Sequence, residues 1–392
     1  MKKLWLLSAS YVTALIVLFF YSFTQVDLSL TLSRASIYQT IEKNFQYIGF
    51  FQRPLSSEIF TIILLVLFAC YILTLYLSLK NKLNLKYFKI LIPVTFIILV
   101  FSYNAFSYDL FNYIFDAKII THYAQNPYIH KASDFPGDPM LNFMRWTHRT
   151  YPYGPTWLLL TVPLSFLGMN IFLPTFFMFK ILMGLSYLGS CYFIYKISDK
   201  LFPENKFINL SFFAFNPLVI IESLVSAHND IPMIFLFLLS VYLYLMRKRI
   251  ASGIFYLLSV GVKFSTGVFV PIIFYLMYLE KIKKKVDWEK IFIYSFFLSL
   301  LTVILASVRT TYQPWYMLLP LSMASFVPKK YYVFIPSAAA SLFSTFIYIA
   351  YVYMTDYAKG YPFVIFNIEV AGVIVLIVLT SFYFLWQNLL RR

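Results

Sequence analysis

Charged residues are scarce in this sequence of 392 residues, where they make up 12%. Soluble globular domains carry about twice that share. Hydrophobic residues make up 61%, and the mean hydropathy is +0.75. No polar segment is long enough to form a separate soluble domain. The composition therefore predicts an all-α integral membrane protein in which residues 1–392 form a single polytopic domain.

Cysteine and histidine are also rare. Cys70 and Cys191 both lie inside apolar runs, so we expect neither a structural disulfide nor a cysteine–metal cluster. Three of the four histidines, His122, His130 and His148, have no metal-ligand spacing with one another. The sequence requires no cofactor, and a divalent metal such as Mg²⁺ or Mn²⁺ stays an open alternative.

Acidic residues number 16 against 32 basic ones, which gives a net charge of +16. The basic residues cluster in short loops between apolar runs, so membrane topology explains them better than nucleic-acid binding. We place these loops on the cytoplasmic side; they lie at 2–3, 80–89, 196–206, 247–249, 281–290, 329–330 and 391–392. The apolar runs lie at 4–23, 59–79, 90–106, 172–195, 207–221, 231–246, 250–263, 265–279, 291–308, 315–327, 331–353 and 364–387.

These runs predict about 12 transmembrane helices, the first of them an uncleaved span, with both termini inside. The apolar run 156–168 is too short to cross and is predicted to be a re-entrant or interfacial helix on the outer side. This topology places the unusual polar segments on the outer side of the plasma membrane; they are 24–58, 107–155, 216–230, 263–266, 309–315 and 355–362. Their convergence predicts one extracytoplasmic active site.

The large outer loop 107–155 holds four of the 16 carboxylates and three of the four histidines. If residues 108–120 are helical, Asp109, Asn112, Tyr113 and Asp116 share one face. The two carboxylates would then be about 10 Å apart, which suits one general base and one structural or acceptor-side group. Asp109 lies nearest the bilayer, where desolvation favours a basic carboxylate. Ordinary solvated carboxylates at a membrane boundary are the alternative, more so for Asp116.

The same loop contains the turn-forming motifs NPY at 126–128 and YPYGP at 151–155. Proline fixes the backbone and glycine permits tight turns, so loop architecture is the main interpretation. The ring of Tyr153 is a candidate for stacking on a sugar.

His228, Asn229 and Asp230 form a second polar group, placed between apolar segments. Ionisable residues at membrane depth indicate function. The three are candidates for orienting a substrate hydroxyl or phosphate, and capping a helix that starts there is the compatible alternative. Lys263 and Arg309 are candidates for binding a donor phosphate. Their alternatives are a snorkelling lysine and an interfacial anchor.

The ordered motifs YDLFNY, NPY, YPYGP with a following Trp, NPL, HND, VKFSTG and PWY, spread over residues 100–320, give the sequence a family likeness. It resembles the GT-C superfamily of polytopic glycosyltransferases. It is most similar to the bacterial polyprenyl-phosphate-mannose-dependent mannosyltransferases. In that family the base is an Asp of the first large outer loop, which Asp109 matches here, and the HND motif and following Lys match His228, Asn229, Asp230 and Lys263. Asp116 stands where relatives often have a small residue, and the loop follows the third predicted span rather than the first.

The resemblance implies a GT-C-like fold with outer juxtamembrane helices and an inverting hexosyltransferase, with mannose as the expected sugar. The donor would be a polyprenyl-phosphate sugar and the acceptor a glycan or a lipid-linked glycan. Asp109 would be the base, and Lys263 and Arg309, assisted by His228, would stabilise the leaving phosphate. A transporter or flippase of lipid-linked glycans is one alternative, and a polymerase of them is another. The collection of polar residues on one side favours the enzyme.

Overall fold

The computed structural model describes residues 2–356 and 358–390. This part of the chain is helical and contains no β-strand, as predicted. The α-helices are α1 (Lys2–Ser22), α2 (Ser36–Gln46), α3 (Arg53–Leu79), α4 (Leu85–Leu99), α5 (Asp109–Thr121), α6 (Pro155–Leu167), α7 (Phe172–Leu201), α8 (Lys206–Ala214), α9 (Pro217–Ile220), α10 (Asp230–Leu245), α11 (Arg249–Val262), α12 (Val270–Lys281), α13 (Trp288–Arg309), α14 (Leu318–Ala324), α15 (Tyr331–Met354) and α16 (Tyr361–Leu390). Tyr357 of the predicted outer segment and the terminal Arg391 and Arg392, predicted inside, lie outside the described residues.

Seven helical segments among the described residues are long and apolar enough to cross a membrane. They are Leu4–Gln25, Arg53–Leu79, Phe172–Leu201, Phe264–Lys281, Trp288–Arg309, Tyr331–Met354 and Tyr361–Gln387. The pair Pro203–Ala214 and Pro217–Val225 makes an eighth if its 56° bend is part of one span. The chain is therefore a multi-pass membrane protein, but the predicted count of about 12 spans is not confirmed.

The difference arises mainly where apolar runs form helices shorter than a bilayer requires. Runs 231–246 and 250–263 became α10 with 16 residues and α11 with 14. Run 315–327 became a short 3₁₀ turn followed by α14 with seven residues. A helix needs about 20 residues to cross the hydrocarbon core. Helix α10 is apolar because it packs inside the protein and not because it contacts lipid along a full span. It packs against α7, α11 and α14, and much of it is buried.

The short run 156–168 forms a separate helix, α6, as the sequence predicts. It begins at Pro155, directly after Gly154, because a proline at the first helical position lacks only an N–H that would be unpaired there. Helix α6 packs against α5, α7 and α11. It thereby fixes the loop 107–155 to the helices that carry the second polar group.

Helices α10 and α11 form a hairpin whose two ends carry different groups. Helix α10 starts at Asp230 and runs about 24 Å to Leu245. The chain turns back through Arg247, which has a positive φ of 63°, and α11 ends at Val262, next to Lys263. The HND motif and Lys263 therefore lie at one end of this hairpin, and the basic turn lies at the other.

Candidate active site

Asp109 is the first residue of α5, and its side chain is 18% exposed. Its backbone N–H donates a hydrogen bond to Ser107 Oγ at 3.1 Å. Burial raises the pKa of the Asp109 carboxyl above its ordinary value, and the negative charge of Asp230 acts in the same direction. The positive charges that His228 and Lys263 can carry oppose this shift. Asp109 is thus a partly accessible carboxylate with increased basicity.

One face of α5 remains open. Asp109, Asn112 and Asp116 are all partly exposed, whereas Tyr113 is 1% exposed and points into the core. Asp116 forms no hydrogen bond or ion pair with any described residue. Burial, together with the negative charge of Asp109, raises the pKa of Asp116 to about 8. The predicted helix and its polar face are therefore present, with Tyr113 turned inward.

Tyr113 connects three parts of the predicted site. Its hydroxyl donates to Asn229 Oδ1 at 3.4 Å. Its ring meets the rings of Tyr153 and Trp157 edge to face, with centroids 5.4 and 5.3 Å away. The amide Nδ2 of Asn229 is buried and has no hydrogen-bond partner among the described residues. Tyr113 thus acts as a packing bridge between the outer loop and the HND motif.

His228 lies at the centre of the cluster and is fully buried. Its Nδ1 lies 2.8 Å from Glu222 Oε2, and its Nε2 lies 2.9 Å from Ser107 Oγ and 3.8 Å from Asp109 Oδ2. The ring stacks on Trp315 with centroids 4.0 Å apart and planes inclined by 23°. The imidazole is therefore held by a carboxylate on one edge, by an indole on its face, and by Ser107 and Asp109 on the other edge.

Burial lowers the pKa of His228 to about 4, and Lys263 adds to this effect. The negative charges of Asp109 and Asp230 oppose the shift without reversing it. The ring is consequently neutral near pH 7. The sequence predicted that His228 helps to stabilise a phosphate; a neutral imidazole can donate one hydrogen bond to such a group but adds no positive charge.

One residue of this cluster, Tyr348, was missed; Glu222, just before the HND motif, was given no role, and Trp315 was only partly found. Glu222 lies in the π-helical turn Ile221–Val225, and Tyr348 belongs to α15; the Tyr348 hydroxyl donates to Glu222 Oε1 at 2.6 Å. The acidic residue inside an apolar run was a usable signal for Glu222. Trp315 was found only as part of the PWY motif. Tyr348 is one tyrosine in a run of apolar and aromatic residues, and no local pattern distinguishes it.

Lys263 and Asp230 form an ion pair, with Nζ and Oδ2 2.7 Å apart. The Lys263 side chain is 20% exposed and that of Asp230 is 5% exposed. The ammonium also lies 5.6 Å from the ring centroid of Tyr316. Lys263 thus has an anionic partner within the protein, and its remaining accessible surface lies at the end of α10 where backbone N–H groups begin the helix.

The turn motifs of the outer loop pack on one another. The Tyr151 N–H donates to Pro127 O at 3.0 Å, and the Tyr128 hydroxyl donates to Tyr153 O at 3.2 Å. The Tyr151 hydroxyl donates to Gly154 O at 2.8 Å. These bonds support the interpretation of NPY and YPYGP as loop architecture, which holds Tyr153 against Tyr113.

A close contact between two glycines joins this loop to α11. A Cβ on Gly154 would lie 2.3 Å from the carbonyl oxygen of Gly261. Gly261 is two residues before Lys263, and the Gly154 N–H donates to Val262 O at 3.4 Å. Only glycine permits this approach, so the position of Lys263 relative to the loop depends on it.

Arg309 is not brought into the cluster. It is the last residue of α13 and is exposed, and no hydrogen bond, ion pair or ring contact joins it to the residues around Asp109. A metal site is equally unsupported: no group of three or more His, Cys, Asp or Glu side chains within the described ranges is placed to hold a metal ion.

Comparison with known proteins identifies a family. The sequence model of the MptA_B family, described as alpha-(1->6)-mannopyranosyltransferase, N-terminal domain, matches residues 32–279. Searches of curated proteins and of solved structures gave no match. The matched range contains Asp109, His228, Asn229, Asp230 and Lys263. The resemblance to GT-C mannosyltransferases is confirmed, and the enzyme uses a sugar donor and a glycan acceptor. The chain belongs to the alpha-(1->6)-mannopyranosyltransferase family.

Proposed function

We propose that this chain is an inverting mannosyltransferase that uses a polyprenyl-phosphate-linked donor and a lipid- or glycan-linked acceptor at the outer face of the plasma membrane. The observation that supports this most is the meeting of Asp109, the HND motif and Lys263 at one end of the α10–α11 hairpin. A basic carboxylate and an accessible cation are the two groups that such a transfer needs.

Asp109 takes the proton from the acceptor hydroxyl. Its raised pKa makes it a stronger base than an ordinary aspartate, and its partial exposure permits contact with a substrate. A single base suits inversion, in which the acceptor oxygen attacks C1 from the face opposite the leaving phosphate. Asp116 lies two helical turns along α5, about 10 Å away, which does not suit a shared reaction centre.

Lys263 stabilises the phosphate that leaves. Its ammonium stays bound to Asp230 and offers its accessible side to a phosphate oxygen. The first turn of α10 contributes a positive helix end at the same place. A monophosphate carries less charge than a nucleotide diphosphate, so a metal is not obligatory. For the exposed Arg309 to contact the same phosphate, the 309–315 segment would have to move toward Lys263.

The hairpin geometry supports the outer location. The basic turn that contains Arg247, Lys248 and Arg249 lies about 24 Å from the candidate site along α10. Basic loops are retained on the cytoplasmic side. Because α10 alone is shorter than the hydrocarbon core, we place the candidate site toward the outer part of the bilayer, where a lipid-linked donor delivers the sugar without a nucleotide.

The decisive experiment is single-turnover transfer by the purified protein in lipid nanodiscs, with a panel of radiolabelled polyprenyl-phosphate sugars and candidate acceptors. The mannosyl donor is expected to react. Asp109→Asn should lose activity by about 10²–10⁴-fold while keeping donor binding, because asparagine cannot take the proton. Asp116→Asn, the matched carboxylate on the same open face, should lose less. Near-normal transfer by Asp109→Asn, or a larger loss in Asp116→Asn, would show that Asp109 is not the base.

A further inference from the structure

Glu222 is a fully buried carboxylate with no route to a substrate. It lies in the π-helical turn Ile221–Val225, and its two oxygens are divided between two partners. Oε1 accepts a hydrogen bond from the Tyr348 hydroxyl at 2.6 Å, and Oε2 lies 2.8 Å from His228 Nδ1. A buried carboxylate is costly unless it is paired. Such a group therefore requires a specific reason to be there.

The contacts continue from Glu222 to Asp109. The other ring nitrogen of His228, Nε2, lies 2.9 Å from Ser107 Oγ, and Ser107 Oγ accepts the backbone N–H of Asp109 at 3.1 Å. The Ser107 hydroxyl can donate a hydrogen bond to His228 Nε2 if the ring proton of His228 is on Nδ1. A proton on Nδ1 would then face Glu222 Oε2, 2.8 Å away, although neither atom forms a hydrogen bond with a described residue in the structure.

The stacking on Trp315 does not by itself fix the ring of His228. A planar contact 4.0 Å from the indole constrains the ring plane, but it is compatible with either edge pointing to Asp109. Glu222 distinguishes the two edges because its Oε2 lies 2.8 Å from Nδ1, which leaves the edge that carries Nε2 to face Ser107 and Asp109.

The backbone around Glu222 is fixed independently of this pair. Ala227 has a positive φ of 60°, which turns the chain just before His228. The Nζ atom of Lys180 is buried and donates to the carbonyl oxygens of Leu224 and Val225 and to Ser102 Oγ. The turn is thus held by Lys180 of α7, and the backbone contacts that fix it do not involve the Glu222 side chain.

We propose that Glu222 is a positioning residue of the transfer reaction, which keeps the His228 ring oriented with Nε2 toward Ser107 and Asp109. The His228 ring in turn holds the start of α5, and hence the carboxylate that accepts the proton. This inference rests on the proposed function, since it assumes that Asp109 is the base. The titratable groups that face the pair are Asp109 from α5, Asp230 from α10, Lys263 after α11, Tyr348 from α15 and Tyr312 before the 3₁₀ turn Pro314–Met317.

The test compares Glu222→Gln and Tyr348→Phe with the wild-type protein in the nanodisc assay. Glu222→Gln should lower kcat about 10- to 100-fold with donor KM within about twofold of wild type, as expected for loss of an orienting partner. It should also change the pH dependence of kcat, which a purely structural role would not do. Tyr348→Phe removes one hydroxyl and should change kcat in the same direction, by less. Glu42→Gln is the matched control, because Glu42 is also buried but accepts a bond from Leu32 N–H, away from Asp109.

A second measurement does not depend on the folding of the Glu222 variant. The chain has four histidines, so ¹⁵N-histidine NMR with His228→Gln for assignment can isolate the signals of His228. At pH 7 we expect a single neutral tautomer with the proton on Nδ1. A ring protonated on Nε2 would overturn the inference. So would wild-type kcat and an unchanged pH profile in Glu222→Gln, or in Tyr348→Phe if the first variant does not fold. Full activity of Asp109→Asn would instead refute the proposed base and leave the NMR result standing.

Discussion

The contact between Gly154 and Gly261 allows a prediction about how geometry controls activity. In Gly154→Ala the new Cβ would lie 2.3 Å from Gly261 O, about 1 Å closer than ordinary van der Waals contact. The backbone angles of Gly154, φ −79° and ψ 168°, suit alanine, so the effect is steric alone. Because the opposing atom is backbone, the loop and the end of α11 have to separate by about 1 Å.

That separation should reduce both stability and activity. Overpacking of a well-packed interior costs about 1–3 kcal/mol. A misplacement of about 1 Å at a reaction centre can lower the rate about 100-fold. Gly154 lies between Tyr153, which packs on Tyr113, and α6, while Gly261 is two residues before Lys263. We therefore expect kcat to fall by more than the increase in the unfolded fraction at assay temperature explains. The donor KM should also increase.

Thermal unfolding in detergent, followed by size-exclusion chromatography, and single-turnover transfer are the two assays. Gly253→Ala is the control, because Gly253 lies in the same helix as Gly261 and its Cβ would meet no atom within 4 Å. It should be neutral or stabilising by about 0.5–1 kcal/mol. Gly261→Ala should also be impaired, because its Cβ would lie 2.2 Å from Thr156 Oγ1, and Thr156→Ala should partly rescue it. Wild-type stability and turnover in Gly154→Ala would refute the close contact and the argument built on it.

Three further predictions concern the charge and topology of the site. Lys263→Gln should raise donor KM at least about tenfold in the transfer assay, whereas a well-folded variant with unchanged KM would make Lys263 a partner of Asp230 alone. The pKa of Asp116 is about 8 when folded and about 4 when unfolded, so its contribution to stability should be lost as pH rises between these values. Asp116→Asn should therefore flatten the decline of the unfolding temperature over that range, and an unchanged decline would contradict the shift. After both native cysteines are replaced, an impermeant thiol reagent applied to intact cells should label Asp134→Cys and spare Lys248→Cys; the reverse would overturn the outer location.

The long helices were predictable because an apolar run inside a bilayer has to satisfy its backbone hydrogen bonds internally. Runs 59–79, 172–195 and 331–353 lie within α3, α7 and α15, which extend by a few residues beyond them. The number of spans was not predictable in the same way. Hydropathy reports that a segment avoids water, and it does not say whether the segment contacts lipid or protein. Helix α10 is apolar for the second reason, since Ile231, Ile234 and Leu238 are fully buried.

The candidate site was predictable in part, for reasons of sequence distance. The helical spacing of Asp109, Asn112 and Asp116 is local, and the open face of α5 follows from it. The contact between Glu222 and Tyr348 joins residues 126 positions apart, and no periodicity reports such a pairing. The prediction for Tyr113 was incomplete because a tyrosine on a polar face also has a large ring, and burial of that ring against Trp157 determined where it points.

The arrangement of buried polar groups also explains why this site depends on so many elements. His228 Nε2 is paired with Ser107 before α5, Glu222 Oε1 with Tyr348 from α15, and Asp230 with Lys263 after α11. These partners offset the cost of burial, because an unpaired polar group at this depth is costly. Helices from distant parts of the sequence therefore meet at one end of α10, and their meeting brings Asp109, the proposed base, and Lys263, the proposed phosphate-binding cation, to the same end of that helix. The requirement that buried charges be paired and the requirement that a transfer site be preorganised are met by the same contacts.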